Sequence, residues 1–269
     1  MFNKIFKTAS LIALVITMSA CSANEAKPAK ITQGNQTYLQ KIVEKGELVL
    51  GTSGTMTPMT RSIDNGKDAV GFDVDLARAM AATMDVTLVI KVIEFEKLIP
   101  ALQNGEVDVV ISNMTITPKR NTQVAFVGPY ITSGKCLITK EASLATANKD
   151  ELKNTSHKIV VLKGTTTEAF LRLAMPNVEG VSVTSQDEAV AMVRDGKVSA
   201  MMSEYPMCKS IITSNPDDDF IAAFTNLTYE PIGIAIAPQN THFQNWTENF
   251  MLRADNVGLL KVLAAKWFK

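Results

Sequence analysis

The residues best placed to do chemistry in this 269-residue chain lie in one stretch, residues 107–130 (VDVVISNMTITPKRNTQVAFVGPY). Residues 107–111 form a β-branched, apolar run that reads as a buried strand. The chain then turns polar at Ser112, Asn113, Thr115 and Thr117. Pro118 suits the first turn of a short helix, and Arg120 follows within that turn. Hydroxyls, free backbone N–H groups and one guanidinium just past the carboxyl end of a strand suit a small carboxylate. A guanidinium grips a carboxylate through two parallel hydrogen bonds. The crevice at the strand carboxyl ends is where open α/β sheets bind ligands. The same residues also fit an arginine paired with an acid on the surface, and this stretch alone does not separate the two readings.

Three other groups are of chemical interest. Residues 51–61 (GTSGTMTPMTR) read as a polar, glycine-containing loop after a first strand, with Ser53, Met56, Met59 and Arg61 each able to face a ligand. They do not make a phosphate loop, since no GKS or GKT follows. The methionines equally fit core filling, and Arg61 a solvated loop. Thr165 and Glu168 have the spacing of a capping box, and the helix start they mark also offers N–H groups and hydroxyls to an anion. Glu204 stands at the carboxyl end of a strand, where it could take an ammonium, act as an acid or base, or face solvent. Asp73 and Asp75 open a helical stretch and read as caps for its free N–H groups. The two histidines, His157 and His242, stand in no metal-ligand spacing, and Asp217–Asp219 lack the pattern of a calcium loop. No cofactor or metal is expected.

The elements that must position these residues follow from the periodicity. Residues 37–45 read as a helix ended by Gly46, residues 48–51 as a strand and residues 71–84 as an amphipathic helix with Ala77, Met80, Ala81 and Met84 on one stripe. A strand at 86–92 and a helix at 95–103, kinked at Pro100, complete a β-α-β-α-β unit over residues 47–112, a parallel doubly wound arrangement. A second set follows: strands at 136–139, 158–162, 181–184 and 198–203, with helices at 166–174 and 186–194. Residues 143–155 read as polar surface. A return strand at 227–236 leads into helical stretches at 243–254 and 258–269. The layout is two α/β units, the second inserted into the first.

Composition bounds the partners. With 27 basic and 27 acidic residues the chain has no basic stripe to recommend nucleic acid. Residues 1–20 read as an export signal: Lys4 and Lys7, then the apolar run 11–18, then Ser19 and Ala20. Cys21 follows, and small residues directly before a cysteine resemble a bacterial lipobox, with cleavage before Cys21 and lipidation of its sulfur. Met18 departs from the usual leucine, which leaves ordinary secretion open. Residues 21–35 then form a flexible tether. Cys136 and Cys208 could pair in an oxidising compartment or remain buried free thiols.

Several motifs in order resemble the periplasmic solute-binding proteins of amino-acid ABC transporters, solute-binding family 3. They are Gly71-Phe72-Asp73-Val74-Asp75-Leu76 with Met80-Ala81 and Met84, then Leu98-Ile99-Pro100-Ala101-Leu102 and Gly105-Glu106-Val107-Asp108. Next come Met114-Thr115-Ile116-Thr117-Pro118-Lys119-Arg120, Pro129-Tyr130, Gly164-Thr165-Thr166 and the closing Lys266-Trp267-Phe268. The resemblance covers residues 36–269. It implies an α/β fold of two lobes, the type II periplasmic binding protein fold, with lobe 2 inserted into lobe 1 and two hinge strands between them. Lobe 1 would comprise residues 36–131 and 232–269, and lobe 2 residues 132–231.

By resemblance, Arg120 holds a ligand α-carboxylate, helped by Thr115 and by Thr165 and Thr166 of the other lobe. The Asn113 carbonyl and Glu204 take the α-ammonium, Glu204 standing where the family usually has Asp. Phe95 keeps the aromatic that covers the ligand, while Met56 replaces the opposing one. Ser53 stands where an acid selects cationic side chains. The resemblance implies capture of an amino acid or similar small zwitterion by lobe closure and delivery to an ABC permease. It implies a monomeric protein of the periplasm or cell envelope, held to the membrane through Cys21. A periplasmic dehydratase-like enzyme on the same fold, with Glu204 as general acid, and a ligand-sensing module are the alternatives.

Overall fold

The computed structural model describes residues 36–153, 156–224 and 228–268. The expected leader, Cys21 and the tether lie outside the described residues. The chain enters through α1 (Tyr38–Lys45), where Thr37 and Gln40 exchange the two bonds of a capping box and Gly46 closes the end at φ 73°.

The first half builds one sheet. In chain order come β1 (Glu47–Thr52), β2 (Thr55–Met56), β3 (Thr60–Ile63), β4 (Asp68–Val70), α2 (Phe72–Thr83), β5 (Thr87–Val92), α3 (Leu98–Gln103), β6 (Val109–Val110), α4 (Pro118–Asn121) and β7 (Ala125–Ser133). The second half builds another: β8 (Lys135–Thr139), α5 (Ala142–Thr146), α6 (Lys149–Lys153), β9 (Lys158–Leu162), α7 (Thr166–Ala174), β10 (Glu179–Val183), α8 (Gln186–Arg194), β11 (Ala200–Glu204), α9 (Tyr205–Ser214) and β12 (Ile221–Phe224). The chain returns through β13 (Glu230–Ile236) and ends in α10 (Thr241–Asn256) and α11 (Leu259–Trp267).

The two sheets share a plan. The first has the order β5-β1-β6-β13-β7 and the second β10-β9-β11-β8-β12. In each, three parallel strands are extended at one side by two antiparallel pairings, so that one strand (β13, β8) runs against the rest and the edge strand (β7, β12) runs with them. The parallel strands are joined by helical crossovers, which cover both faces. Alternation along β1 shows this. Leu48 and Leu50 pack with Phe72, Leu76 and Met80, while Val49 between them packs with Leu98 and Leu102 on the opposite face. Side chains of this size stabilise by roughly 1.5–3 kcal/mol each when fully buried, so both helix layers are held to the sheet mainly by these contacts.

Strands β7 and β13 link the two halves. They pair antiparallel from Ala125↔Ile236 to Ser133↔Glu230, with a register shift between Ile232 and Ile234. β7 then passes through Gly134 into β8 of the second sheet, and β13 opens just after that sheet's last strand. The molecule is thus a two-lobed α/β protein with the second lobe inserted into the first.

Several local expectations change. The loop expected at residues 51–61 is part of a three-stranded meander, β2-β3-β4, which its threonines suit and which Gly71 closes. A Cβ at Gly71 (φ 144°) would lie 2.2 Å from the Met59 carbonyl oxygen, so only glycine fits. Pro100 kinks nothing. A short 3-10 turn over Phe95–Lys97 precedes α3, which places Pro100 in the first turn, where no amide hydrogen is needed. Asp73 and Asp75 make no capping bond; Gly71 is the N-cap residue, without a side chain to offer. The stretch read as polar surface, residues 143–155, overlaps the short helices α5 and α6. Helix α9 and strand β12 were not read from the pattern. Cys136 and Cys208 are joined as a disulfide, Cα atoms 6.4 Å apart, tying β8 to α9.

Candidate functional site

The site is built where the two lobes face each other. On the first lobe, Thr117 caps α4 by accepting from the Arg120 amide at 3.1 Å, which sets the arginine on the cleft side of a single turn. Its guanidinium donates to the Thr115 carbonyl at 2.9 Å and to the Gly164 carbonyl of the other lobe at 3.1 Å. It also lies 5.3 Å from the centre of the Phe95 ring. Burial lowers the Arg120 pKa, while Glu204 and Glu230 pull it back up.

Asn113 follows β6 in a left-handed conformation, φ 48°. A buried carboxylate holds it there: Asp73 accepts from the Asn113 amide at 2.6 Å and from the Tyr130 hydroxyl at 2.8 Å. Burial pushes the Asp73 pKa up to about 7 against these two hydrogen bonds. Asp73 is therefore a support of the site loop and not a helix cap. Asp75 instead accepts from Lys266 at 2.6 Å and Trp267 at 2.8 Å, tying α2 to the last helix.

The second lobe brings the threonines of α7. Thr165 caps that helix, accepting from the Glu168 amide at 3.2 Å and donating to the Leu162 carbonyl at 2.7 Å. Its hydroxyl is thus committed to structure, although the residue lines the cleft. Thr166 approaches Thr115 across the cleft at 3.4 Å and donates to Glu230 at 2.9 Å. Thr167 donates to Glu204 at 2.7 Å. The cleft hydroxyls are therefore those of Thr166 and Thr167.

Two charged residues complete the cluster, and sequence reasoning missed both. Lys135, buried at the start of β8, lies 3.0 Å from Glu230 and 3.8 Å from Glu204. It also donates to Thr166 at 3.2 Å and to Thr167 at 3.1 Å. Glu230 opens β13. Burial works to raise its pKa, but Lys135 and the hydroxyls of Thr166 and Thr115 outweigh that and hold it below the usual carboxylate value. The available signal was a charge at the end of an apolar strand beside each crossing between the lobes, at Lys135 before CLIT and at Glu230 before PIGIAI.

Met56 and Gln186 add to the lining, with Asn113 packed behind Met56. Met56 and Gln186 border a small cavity with Leu162, Thr167, Met202 and Glu204. The Asn113 amide nitrogen rests 3.8 Å from the Met56 sulfur. Ser53 is buried, and its amide donates to the Ser112 hydroxyl at 2.9 Å. The side-chain oxygens of Ser53, Asn113 and Gln186 have no protein partner. Arg61 is exposed on β3 and faces an outer crevice with Gln186 and Arg194, away from the charge cluster. Of the residues expected at the site, Met56, Thr165 and Glu204 line the cavity, Thr115, Thr166 and Arg120 make contacts between the lobes, Phe95 lies beside the Arg120 guanidinium and Asn113 touches Met56, while the contact of Ser53 is with Ser112.

The cleft is shut. The cavity measures about 10 Å³, roughly the space of one water. Arg120–Gly164, Thr115–Thr166 and a Lys163–Glu96 ion pair at 3.0 Å cross it. A Cβ on Gly164 (φ 75°) would sit 3.0 Å from Glu96, so a glycine permits this approach. Among the described residues no group of three potential metal ligands occurs.

Comparison with known proteins agrees with this architecture. The chain is 28% identical over 224 residues to an ABC transporter arginine-binding protein 1 of Escherichia coli (strain K12), covering 81% of this chain and 89% of that protein. It is 26% identical to a glutamine-binding protein of Geobacillus stearothermophilus, covering 89% and 95%. Among solved structures, an ancestral amino acid-binding protein, described as a precursor of cyclohexadienyl dehydratase, superposes with a TM-score of 0.78 at 30% identity, over 87% of this chain and all of that one. The sequence profile of the bacterial extracellular solute-binding proteins, family 3, matches residues 48–269, and this chain belongs to that family.

Proposed function

We propose that the protein is the extracytoplasmic substrate-binding component of an ABC importer and that it captures an amino acid or similar small zwitterion between its lobes. The observation that carries this reading is Arg120, whose guanidinium stands between the Thr115 carbonyl of one lobe and the Gly164 carbonyl of the other. A ligand carboxylate is a stronger acceptor than either carbonyl and takes the same fork. Thr115, Thr166 and Phe95 flank it, with Thr165 holding the start of α7. The ammonium is taken at the opposite pole by Glu204 and the Asn113 carbonyl, while Ser53 and Met56 face the ligand side chain.

The lobes divide at the β7–β13 pair: residues 36–131 and 232–269 against 132–231. Closure follows from this division, because one lobe alone holds only part of the ligand. The ligand stabilises the shut form through bonds that exist only when both lobes meet it. Charge-assisted bonds are worth roughly 1.5–3 kcal/mol each. Arg120 and Glu204 together thus supply much of the about −8 kcal/mol of a micromolar complex. The protein works as a binder without turnover, as a monomer. Residues 1–20 direct export, Cys21 carries a lipid anchor and residues 21–35 tether the fold to the membrane beside its permease.

A thermal-shift screen of amino acids against the mature chain tests the reading. A ligand-dependent rise in melting temperature without consumption of the ligand supports it, since binding to the folded state stabilises by mass action. Conversion of a bound compound would establish an enzyme instead. Incorporation of radioactive palmitate that is lost in Cys21→Ser tests the anchor separately.

A further inference from the structure

The four ionic groups of the cleft, Lys135, Glu204 and Glu230 buried and Arg120 half-buried, are unequally partnered. Arg120 donates to two backbone carbonyls, and no carboxylate among the described residues accepts from it directly. Glu204 and Glu230, by contrast, already share a cation. The Lys135 ammonium lies 3.8 Å from one and 3.0 Å from the other, with its side chain only 1% exposed. The hydroxyls of Thr167 and Thr166 occupy further lone pairs of the same two carboxylates. Two cations and two anions cancel, so a zwitterion enters a neutral cleft. Among the described residues the buried side-chain atoms that lack protein partners, the oxygens of Ser53, Thr55, Asn113 and Gln186, are different in kind. The oxygens of Ser53, Asn113 and Gln186 are neutral, their residues are 2%, 5% and 6% exposed, and buried polar atoms of this sort call for a partner.

We propose that Lys135 is a resident cation that fills the acidic end of the cleft, so that the cleft selects an amino acid with an uncharged, hydrogen-bond-donating side chain, such as a carboxamide or hydroxyl, and rejects a cationic one. This rests on the amino-acid reading above. A second ammonium or a guanidinium entering here meets Lys135 at short range in a buried site, and it finds no uncommitted carboxylate. A donating amide or hydroxyl meets the acceptor oxygens of Ser53, Asn113 and Gln186, which otherwise stay unpaired at a cost. The selectivity is therefore built from a repulsive element and an attractive one together. Gln186 contributes from the second lobe, so the same contacts that read the side chain also reward closure.

The test is calorimetry of the mature protein against glutamine, asparagine, serine and threonine on one side, and arginine, lysine and ornithine on the other. The wild type is expected to bind at least one uncharged ligand tenfold or more tightly than any cationic one. In Lys135→Ala the two glutamates lose their resident cation, and a ligand cation takes its place. Affinity for arginine or lysine is expected to rise at least tenfold while affinity for the uncharged ligand falls. A purely structural role for Lys135 would lower both. Should the single variant fail to fold, Lys135→Met/Glu230→Gln removes the buried pair together, and the wild-type preference should shrink by tenfold or more. Wild-type binding of arginine or lysine within tenfold of the best uncharged ligand would overturn the proposal alone, as would variants whose preference is unchanged. Binding of no amino acid by the wild type would overturn the amino-acid reading and this proposal with it.

Discussion

The Arg120 guanidinium of one lobe is hydrogen-bonded to the Gly164 carbonyl of the other at 3.1 Å. On the function proposed above, one side chain is thus both the carboxylate clamp and a latch. In the shut cleft its second N–H pair is spent on a neutral acceptor, and under the proposed function a ligand carboxylate would replace that contact with a charge-assisted one. The exchange favours a carboxylate over water-filled opening because the fork is already aimed, held by the Thr117 cap and the Phe95 ring.

Arg120→Lys separates charge from geometry. Lysine keeps the cation but cannot form two parallel bonds or lie flat on Phe95. We expect ligand affinity to fall about 100-fold, the equivalent of roughly 3 kcal/mol for two charge-assisted bonds reduced to one, and Arg120→Ala to abolish binding. Titration calorimetry decides the matter; an unchanged affinity in the alanine variant would remove Arg120 from the site.

Thr167→Val tests the acidic pole. The valine is isosteric but cannot donate to Glu204, which loses its 2.7 Å partner in a buried setting. The expected cost is about 1–3 kcal/mol of stability for an unpaired buried acceptor, read by urea denaturation. Binding should weaken as well, because Glu204 is then free to drift toward Lys135. Thr165→Val, by comparison, removes a helix cap, costing about 1 kcal/mol, and should leave affinity nearly intact. Equal losses of affinity in the two variants would contradict the division of roles between these threonines.

Much of the architecture was legible because strong local signals coincided with tertiary need. Helices α1, α7 and α8 start within one residue of where the pattern put them, behind the caps Thr37, Thr165 and Ser185, and the apolar runs of β1 and β9 are buried strands. Arg120 was legible for the same reason, since Pro118 and Thr117 fix its turn. The meander of β2 to β4 was not, because its strands are two to four residues long and no period can be read over that length. Lys135 and Glu230 were missed for a deeper reason. Each has its counter-charge in another part of the chain, 95 positions apart by number, and only the pairing of β7 with β13 brings them to 3.0 Å. Asp73 was misread because position in a first turn predicts capping, whereas its partners, Asn113 and Tyr130, come from a distant loop and strand.

The Cys136–Cys208 bond should matter for stability more than for recognition. It closes a separation of 72 residues, and a loop of that size implies a stabilisation of about 4 kcal/mol in the chain-entropy account, with 2–5 kcal/mol typical of native bridges. Both cysteines are buried beside the site, Cys136 next to Lys135 and Cys208 on the helix that follows Glu204. Cys136→Ser/Cys208→Ser is expected to lower the melting temperature by several degrees and to change ligand affinity by less than tenfold. A melting temperature that dithiothreitol leaves unchanged would count against a contribution from the bridge.

Asp73 predicts an unusual pH dependence. Its carboxyl titrates near 7 in the folded protein, against 3.8 as its ordinary value, because burial outweighs the bonds from Tyr130 and Asn113. The folded state therefore binds the proton more tightly than the unfolded one between these values. Stability conferred by the protonated form is present below pH 4 and is lost as pH rises toward 7. The full difference corresponds to a cost on the order of 4 kcal/mol at alkaline pH. Glu230 runs the other way, with a depressed folded pKa, and its contribution is lost as pH falls through the acid range. The total curve mixes both, so the comparison to make is wild type against Asp73→Asn. The asparagine oxygen can still accept from Tyr130 or the Asn113 amide without titrating. We expect the two proteins to approach each other in stability near pH 4 and the variant to gain steadily over the wild type up to pH 8, measured by denaturant unfolding at each pH. A constant difference across that range would show that Asp73 stays ionised in the fold.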